Sequence, residues 1–482
     1  MKLILRVLQL AATLTIAACT GTGGVSVEDE QQAGARAARQ VEEQVGIYRA
    51  EFLMTYVDTI GRRLIVNIGE TPYYFKFRVI DQAEPNAFAT PGGYIFVSRG
   101  MMALINTEDE LAGVLAHEIS HVTLRHHARQ SQRGVLPGVL ALPGRAVRAV
   151  VGEDIGNIIN APIEAAGQAY LSSYSRAQET EADRVGIRLA AKAGYDPNAL
   201  GTVLRNLART TALLSGRSHQ FSFFDSHPTM PNRIGDIERE AGDLAWRPGK
   251  PYAKDTAALY KRLDGLTWGP NNPMQGIFVG RQFMQPDMNL SIEFPDGWRM
   301  LNTPRYVGAF APEGDAIVLF GSPDRPGDTS ELASAFIEEI SKALDIEPWE
   351  PIATRVGEWD AHLVKLEDEL GAEPVSIYYL WANTGRSIFR IVALGSNRYD
   401  EQLRETGESL RRLTRDELDS IMDRRIRIVT AVDGENLASM SVRTENAMPD
   451  DLTAAINGLA DDATLESGQL IKILREEPYI TR

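Results

Sequence analysis

The stretch "ELAGVLAHEISHV", residues 110 to 122, sets two imidazoles and a carboxylate inside an apolar helix, which restricts what the chain can fold into. Thr107 and Glu110 form a T-x-x-E capping box that starts the helix. Leu111, Val114, Leu115, Ile119 and Val122 supply its apolar stripe. His117, Glu118 and His121 follow the order H-E-x-x-H. Residues four apart share a helix face, about 6 Å apart along the axis, so His117 and His121 can offer nitrogens to one metal ion. Glu118 sits one residue on, where it can take a proton from a water that the metal has acidified. The competing reading is a solvent-facing helix with incidental histidines, and the apolar flanks argue against it. A zinc site with its general base on the same turn is therefore expected. His126 and His127, in "LRHHARQ" at the polar end of the helix, are expected on the surface.

A catalytic zinc takes three protein ligands as a rule, so a third has to come from elsewhere. In "SRAQETEADRVG" Glu179 and Asp183 stand four apart on a second helix, hence on one face, while Glu181 points away. One of the two can bind the metal while the other accepts the spare N–H of a histidine ligand. An acidic, solvated helix face would give the same spacing.

At 482 residues the chain is too long for one hydrophobic core. A net charge of −15 with no polybasic run excludes nucleic acid as a partner class. Residues 1–18 have the pattern of a secretory signal: Lys2 and Arg6, then an apolar run too short to span a bilayer. The run ends in "IAAC", whose Cys19 is the chain's one cysteine, and 19–27 read as a flexible tether. A helical pattern covers 28–68, with Val41, Val45, Tyr48, Phe52 and Val57 near one face. "YYFKFRVID" and "GGYIFVSRG" read as strands, and residues 134–170 as loosely packed helices or a gate. Composition shifts near 246, from where all six tryptophans are found, and "TWGPNNPMQG" reads as a linker. The expected units are a first domain over 28–262, an α+β domain over 276–415 and a last unit over 424–482.

Several ordered motifs resemble those of the M48 zinc metallopeptidases, in particular their periplasmic lipoprotein branch. They are "NAFATPGGYIFVSRGM", "ELAGVLAHEISHV", "SRAQETEADRVGI", "AGYDP" and "SHPTMPNRI". The resemblance implies an α+β fold whose first domain is mainly helical and zincin-like, with a small sheet. It also implies Glu179 as third zinc ligand beside His117 and His121, and Asp183 as the carboxylate behind it. Glu118 is then the general base, and Asn86, Ala87, Phe88, Ala89 and Thr90 form an edge strand to which substrate adds. The H-P-x-x-x-x-R signature falls on His227 and Arg233. His227 either contacts the metal and blocks the water site or steadies the transition state, with Arg233 as a second oxyanion donor. "IAAC" is similar to the lipobox of bacterial lipoproteins, which implies lipidation of Cys19. Thr20 after it implies the outer membrane.

The 425–474 segment, with "DGENLASM", "INGL" and "LESGQLIKI", resembles a LysM module, which implies peptidoglycan as a partner. Together these features imply a zinc endopeptidase of the cell envelope acting on unfolded or misassembled envelope proteins. The rival is a binding or chaperone-like lipoprotein whose zinc site is structural or plugged by His227.

Overall fold

The computed structural model describes residues 25–131, 174–214, 223–228, 232–252, 256–323, 325–344, 346–370 and 373–481. The signal segment, Cys19, most of the tether and the 134–170 gate lie outside them. Instead of one helix over 28–68 the chain forms α1 (Val27–Gln44) and α2 (Glu51–Ile65). Gly46, at φ 89°, turns the backbone between them, and Ile47 bridges to Ile80. The break rotates Phe52 off the buried face, leaving it 54% exposed.

Strands β1 (Lys76–Ile80), β2 (Ala87–Thr90) and β3 (Tyr94–Ser98) form a sheet in the order β1-β3-β2, so β2 is an edge strand. β1 runs parallel to β3 and β2 antiparallel to it. After α3 (Arg99–Leu104) comes α4 (Glu108–Thr123), which carries the H-E-x-x-H residues. Its N-terminus is capped as the sequence suggests, with a shift of one residue. Thr107 Oγ1 accepts from Glu110 N at 3.1 Å, but Glu110 Oε2 accepts from Asn106 N at 2.7 Å. From Leu111 to Val122 every residue of α4 is buried, because the sheet, α2 and later helices surround it.

α4 stops at Thr123. Arg125 adopts a left-handed conformation, φ 55°, and α5 (His126–Ser131) leaves in a new direction. This corrects the surface placement of His126 and His127: extending the α4 wheel presumes a helix that does not continue. His126 is fully buried and His127 half-buried. The first domain is completed by α6 (Arg176–Lys192), α7 (Ala199–Leu214), α8 (Phe223–Ser226), α9 (Arg233–Gly242) and α10 (Thr256–Leu263). α6 begins at a capping box in which Ser175 Oγ accepts from Gln178 N. Gly186 of α6 lies against α4, where a Cβ would stand 3.0 Å from His117 N. A side chain there would have to push the α4 backbone away by a few tenths of an ångström.

The second domain has a small antiparallel sheet of β4 (Ile277–Val279), β5 (Gln282–Gln285) and β6 (Leu290–Glu293). Its main sheet joins β7 (Arg299–Asn302), β8 (Tyr306–Phe310), β9 (Ala316–Gly321), β10 (Ile352–Val356), β11 (Trp359–Leu370), β12 (Glu373–Asn383) and β13 (Ile388–Ser396). The order is β10-β11-β12-β13-β9-β8-β7, with all pairs antiparallel. One face packs on α11 (Thr329–Leu344) through Leu332, Ala333 and Ile337. The other packs on Phe283, Ile292, Phe294 and, from α12 (Asp400–Glu408), Leu403. α13 (Arg415–Ser420) leads to the last unit: β14 (Met422–Thr430), α14 (Leu437–Thr444), α15 (Asp450–Ile456) and β15 (Leu470–Pro478). The whole is α+β, and among the described residues no helix is long and apolar enough to cross a membrane.

The last unit has a small core of its own around Leu437, Met440 and Ile471. Ile426, Met448, Leu452, Ile456 and Leu474, however, belong to the core of the first domain. Ile426 N donates to Leu266 O at 2.8 Å, and Trp268 N to Arg424 O at 2.7 Å. Lys472 on β15 is fully buried, and its Nζ donates to Ala103 O (2.7 Å) and Ile105 O (3.1 Å) at the end of α3. Burial pulls this ammonium group down to about 7 while the Glu110 carboxylate opposes the shift. Lys472→Met keeps the length of the side chain but leaves two carbonyls without donors and Glu110 without its cation. The expected cost is about 3 kcal/mol, seen as roughly hundred-fold faster hydrogen exchange in β15.

Candidate active site

α4 and α6 face each other across the Gly186 contact, and their polar side chains meet on the shared side. His117 and His121 turn their Nε2 atoms inward, 3.0 Å apart. His121 Nε2 stands 3.4 Å from Glu179 Oε1, and His117 Nε2 3.7 Å from Glu179 Oε2. His227, which follows α8, brings its Nδ1 to 3.2 Å from His117 Nε2 and 3.1 Å from Glu179 Oε1. All four residues are fully buried, and one donor atom of each lies within 4.8 Å of the others. Ligand atoms around a tetrahedral zinc with bonds of about 2.1 Å stand roughly 3.4 Å from one another. Nitrogen and carboxylate donors at that spacing, closed off from water, fit zinc.

Glu118 lies beside this set and is fully buried, and among the described residues neither of its carboxylate oxygens has a hydrogen-bond partner. His227 Nε2 lies 3.4 Å from its Oε1. Burial pushes the Glu118 carboxyl up, against the pull of His227 and His117. Burial also pushes His121 down, together with the neighbouring imidazoles, and so favours the neutral form a metal ligand needs. In Glu179, burial acts upward but His227, His117 and Arg233 outweigh it and lower its pKa.

Asp183 supports His117 from behind, its Oδ1 2.9 Å from His117 Nδ1. Arg233, first residue of α9, holds the same carboxylate with two hydrogen bonds of 2.8 Å and reaches Glu179 Oε2 at 2.9 Å. Burial acts to raise Asp183, but His117 and Arg233 hold it well below the carboxylate range. Arg233 Nη1 is buried and makes no hydrogen bond among the described residues.

Asn86 to Thr90 occupy the edge of the three-stranded sheet, all of them buried. Ser98 N donates to Asn86 O at 2.8 Å, so by antiparallel alternation Phe88 and Thr90 also pair with β3. Ala87 and Ala89 turn their amide groups to the open side. There His127 Nε2 stands 2.9 Å from Ala89 O, and Phe223 N donates to Pro85 O at 3.3 Å.

Two aromatic residues that no sequence pattern singles out complete the walls. Tyr174 stacks on His121, with centroids 3.7 Å apart, and Phe223 on His227 at 4.2 Å. Tyr174 sits just before the α6 cap and outside any periodic segment, so only the tertiary structure reveals it. Sequence reasoning also missed His126, whose Nδ1 lies 2.8 Å from His121 Nδ1, and Glu181, which reaches His126 Nε2 at 3.3 Å. Glu181 does point away from the metal cluster, but onto a residue that touches it.

Comparison with known proteins agrees with this geometry. The sequence profile of Peptidase family M48 matches residues 53–241. The β-barrel assembly-enhancing protease of Yersinia pestis is 30% identical over 230 residues, 46% of each chain. The mitochondrial metalloendopeptidase OMA1 of Schizosaccharomyces pombe is 32% identical over 213 residues, covering 42% of this chain and 56% of that one. The metalloprotease LoiP of Escherichia coli K12 is 34% identical over 183 residues, 37% of this chain and 67% of its own length. The chain thus spans about half the length of the assembly-enhancing proteases it matches, and more of LoiP. With the metal-ligand set, the profile match and the LoiP alignment in agreement, the chain belongs to peptidase family M48.

Proposed function

We propose that the chain is a zinc-dependent endopeptidase of the bacterial cell envelope that cleaves unfolded or misassembled envelope proteins. The observation that carries this reading is the buried set of His117, His121, Glu179 and His227 with an unpaired Glu118 beside it. A purely structural site has no use for that carboxylate. Relatives named for β-barrel assembly support envelope proteins as the substrate class. The signal-like segment and Cys19 support a periplasmic enzyme anchored by lipid, with the outer membrane as its address.

Zinc, when bound, supplies Lewis-acid chemistry at the scissile carbonyl. The chain's own side chains do the rest. An extended substrate adds to β2 as a further strand, pairing with the outward amides of Ala87 and Ala89. Glu118 accepts the proton of the attacking water and delivers it to the leaving amine. Its raised pKa suits the second half of that task. Arg233 keeps Asp183 and Glu179 in place, and its unpaired Nη1 is a donor for the developing oxyanion. His227 supplies a fourth protein donor, which favours a closed resting state from which it withdraws when substrate enters. If His227 never withdraws, the rival reading of a plugged, binding lipoprotein holds. For 424–482 a LysM-like role with peptidoglycan as partner is supported by its strand–helix–helix–strand order.

Three variants test the scheme on unfolded casein. Glu118→Gln retains zinc but loses about a thousand-fold in turnover, and a chelator abolishes wild-type cleavage. His227→Ala turns over faster than wild type at equal zinc content; activity in the variant alone would mark a site plugged by His227, and equal inactivity of both would favour a structural zinc site in a binding lipoprotein. Ala89→Pro removes an outward N–H without touching the β2–β3 pairing, so KM rises about ten-fold while zinc content stays constant.

A further inference from the structure

The mechanism leaves His126 and Glu181 unused, yet the chain takes trouble to place them. In a continuous helix His126 would lie about 140° around the axis from His121. The left-handed Arg125 returns it to a position under that ligand, and Gln178 Nε2 fixes it by donating to His126 O at 3.1 Å. His126 is fully buried, and its ring meets that of His121 edge-on, at 74°.

The hydrogen-bonding inventory then leaves one proton arrangement. His121 Nε2 faces the other metal donors, so it must carry a lone pair, and the ring's proton sits on Nδ1. That Nδ1 lies 2.8 Å from His126 Nδ1, which must accept. The proton of His126 is therefore on Nε2, 3.3 Å from Glu181 Oε2, a group that can only accept when ionised. Arg129 Nη1, 2.9 Å from the same oxygen, keeps that carboxylate ionised and in place. We propose that His126 and Glu181 are positioning residues for the metal ligand His121, forming a His121–His126–Glu181 relay that fixes its tautomer and ring orientation. The relay rests on the zinc reading given above. It is the counterpart on His121 of what Asp183 does for His117, with an imidazole inserted between ligand and carboxylate.

The test is the zinc affinity of the full chain, by competition with a chromophoric chelator. His126→Leu is expected to weaken binding 10- to 100-fold. His126→Gln, whose amide oxygen accepts and whose NH2 donates, is expected to restore it to within about three-fold of wild type, a rescue that a packing role would not produce. Glu181→Ala, at a half-exposed position where folding is not at stake, is expected to weaken binding several-fold. Nitrogen-15 spectra of the zinc-loaded protein should show His126 protonated on Nε2. Wild-type affinity in a folded His126→Leu, or a proton on His126 Nδ1, overturns the relay alone. A wild type that takes up no zinc overturns the zinc reading and the relay with it.

Discussion

Everything in the site depends on the close crossing of α4 and α6. A single turn of α4 offers two imidazoles, and a single turn of α6 offers Glu179 and Asp183, but neither helix can make a metal site alone. Gly186 against the His117 backbone brings the two turns together. Once there, each polar group has to be satisfied, because ions and imidazoles taken out of water without partners cost several kcal/mol each. Asp183 answers to His117 and Arg233, and Glu179 to Arg233 and the imidazoles. Among the described residues Glu118 has no hydrogen-bond partner, only the His227 imidazole at 3.4 Å. Among the members of this cluster it is the carboxylate left to act on something from outside, which is why the chemistry is assigned to it.

The same packing makes access the main requirement of the proposed catalysis. His117, Glu118, His121, Glu179 and His227 are all fully buried, and the open side of β2 is covered by His127 and Phe223. The covering pieces are linked: Tyr174 N donates to Ser226 O at 3.0 Å, next to His227, while the Tyr174 hydroxyl lies 2.7 Å from His127 Nε2. In the proposed mechanism, a substrate strand that displaces His127 from Ala89 O would disturb Tyr174, and through it the backbone that carries His227. Within that proposed mechanism, docking on the edge strand and release of the fourth donor are in this way mechanically related.

Much of this could be read from the sequence where local periodicity holds. The cap at Thr107, the helical faces of His117 with His121 and of Glu179 with Asp183, and the two strands flanking Asn86–Thr90 follow from spacing alone. Periodicity fails where the backbone changes direction. It runs one helix through Gly46 and carries the α4 wheel past Arg125, which puts His126 and His127 on the surface. It says nothing about residues such as Tyr174 and Phe223, whose role depends on what folds over them. The 424–482 unit shows a related limit: its motifs mark a segment but cannot show that Ile426, Met448 and Leu474 are buried in the core of the first domain.

That shared core reaches the start of α4, the helix that carries His117, Glu118 and His121. Lys472 binds the last carbonyls of α3, and its charge acts on Glu110, whose carboxylate also accepts from Asn106 N and so sets where α4 begins. His117 lies seven residues further along, about 10 Å down the axis. A buried helix of that length moves as a rigid body, since its side chains are packed on every side. A shift at its first turn is carried to both histidines rather than absorbed between them. The terminal unit is thus part of the scaffold that orients the metal ligands, whatever it binds on its outer surface.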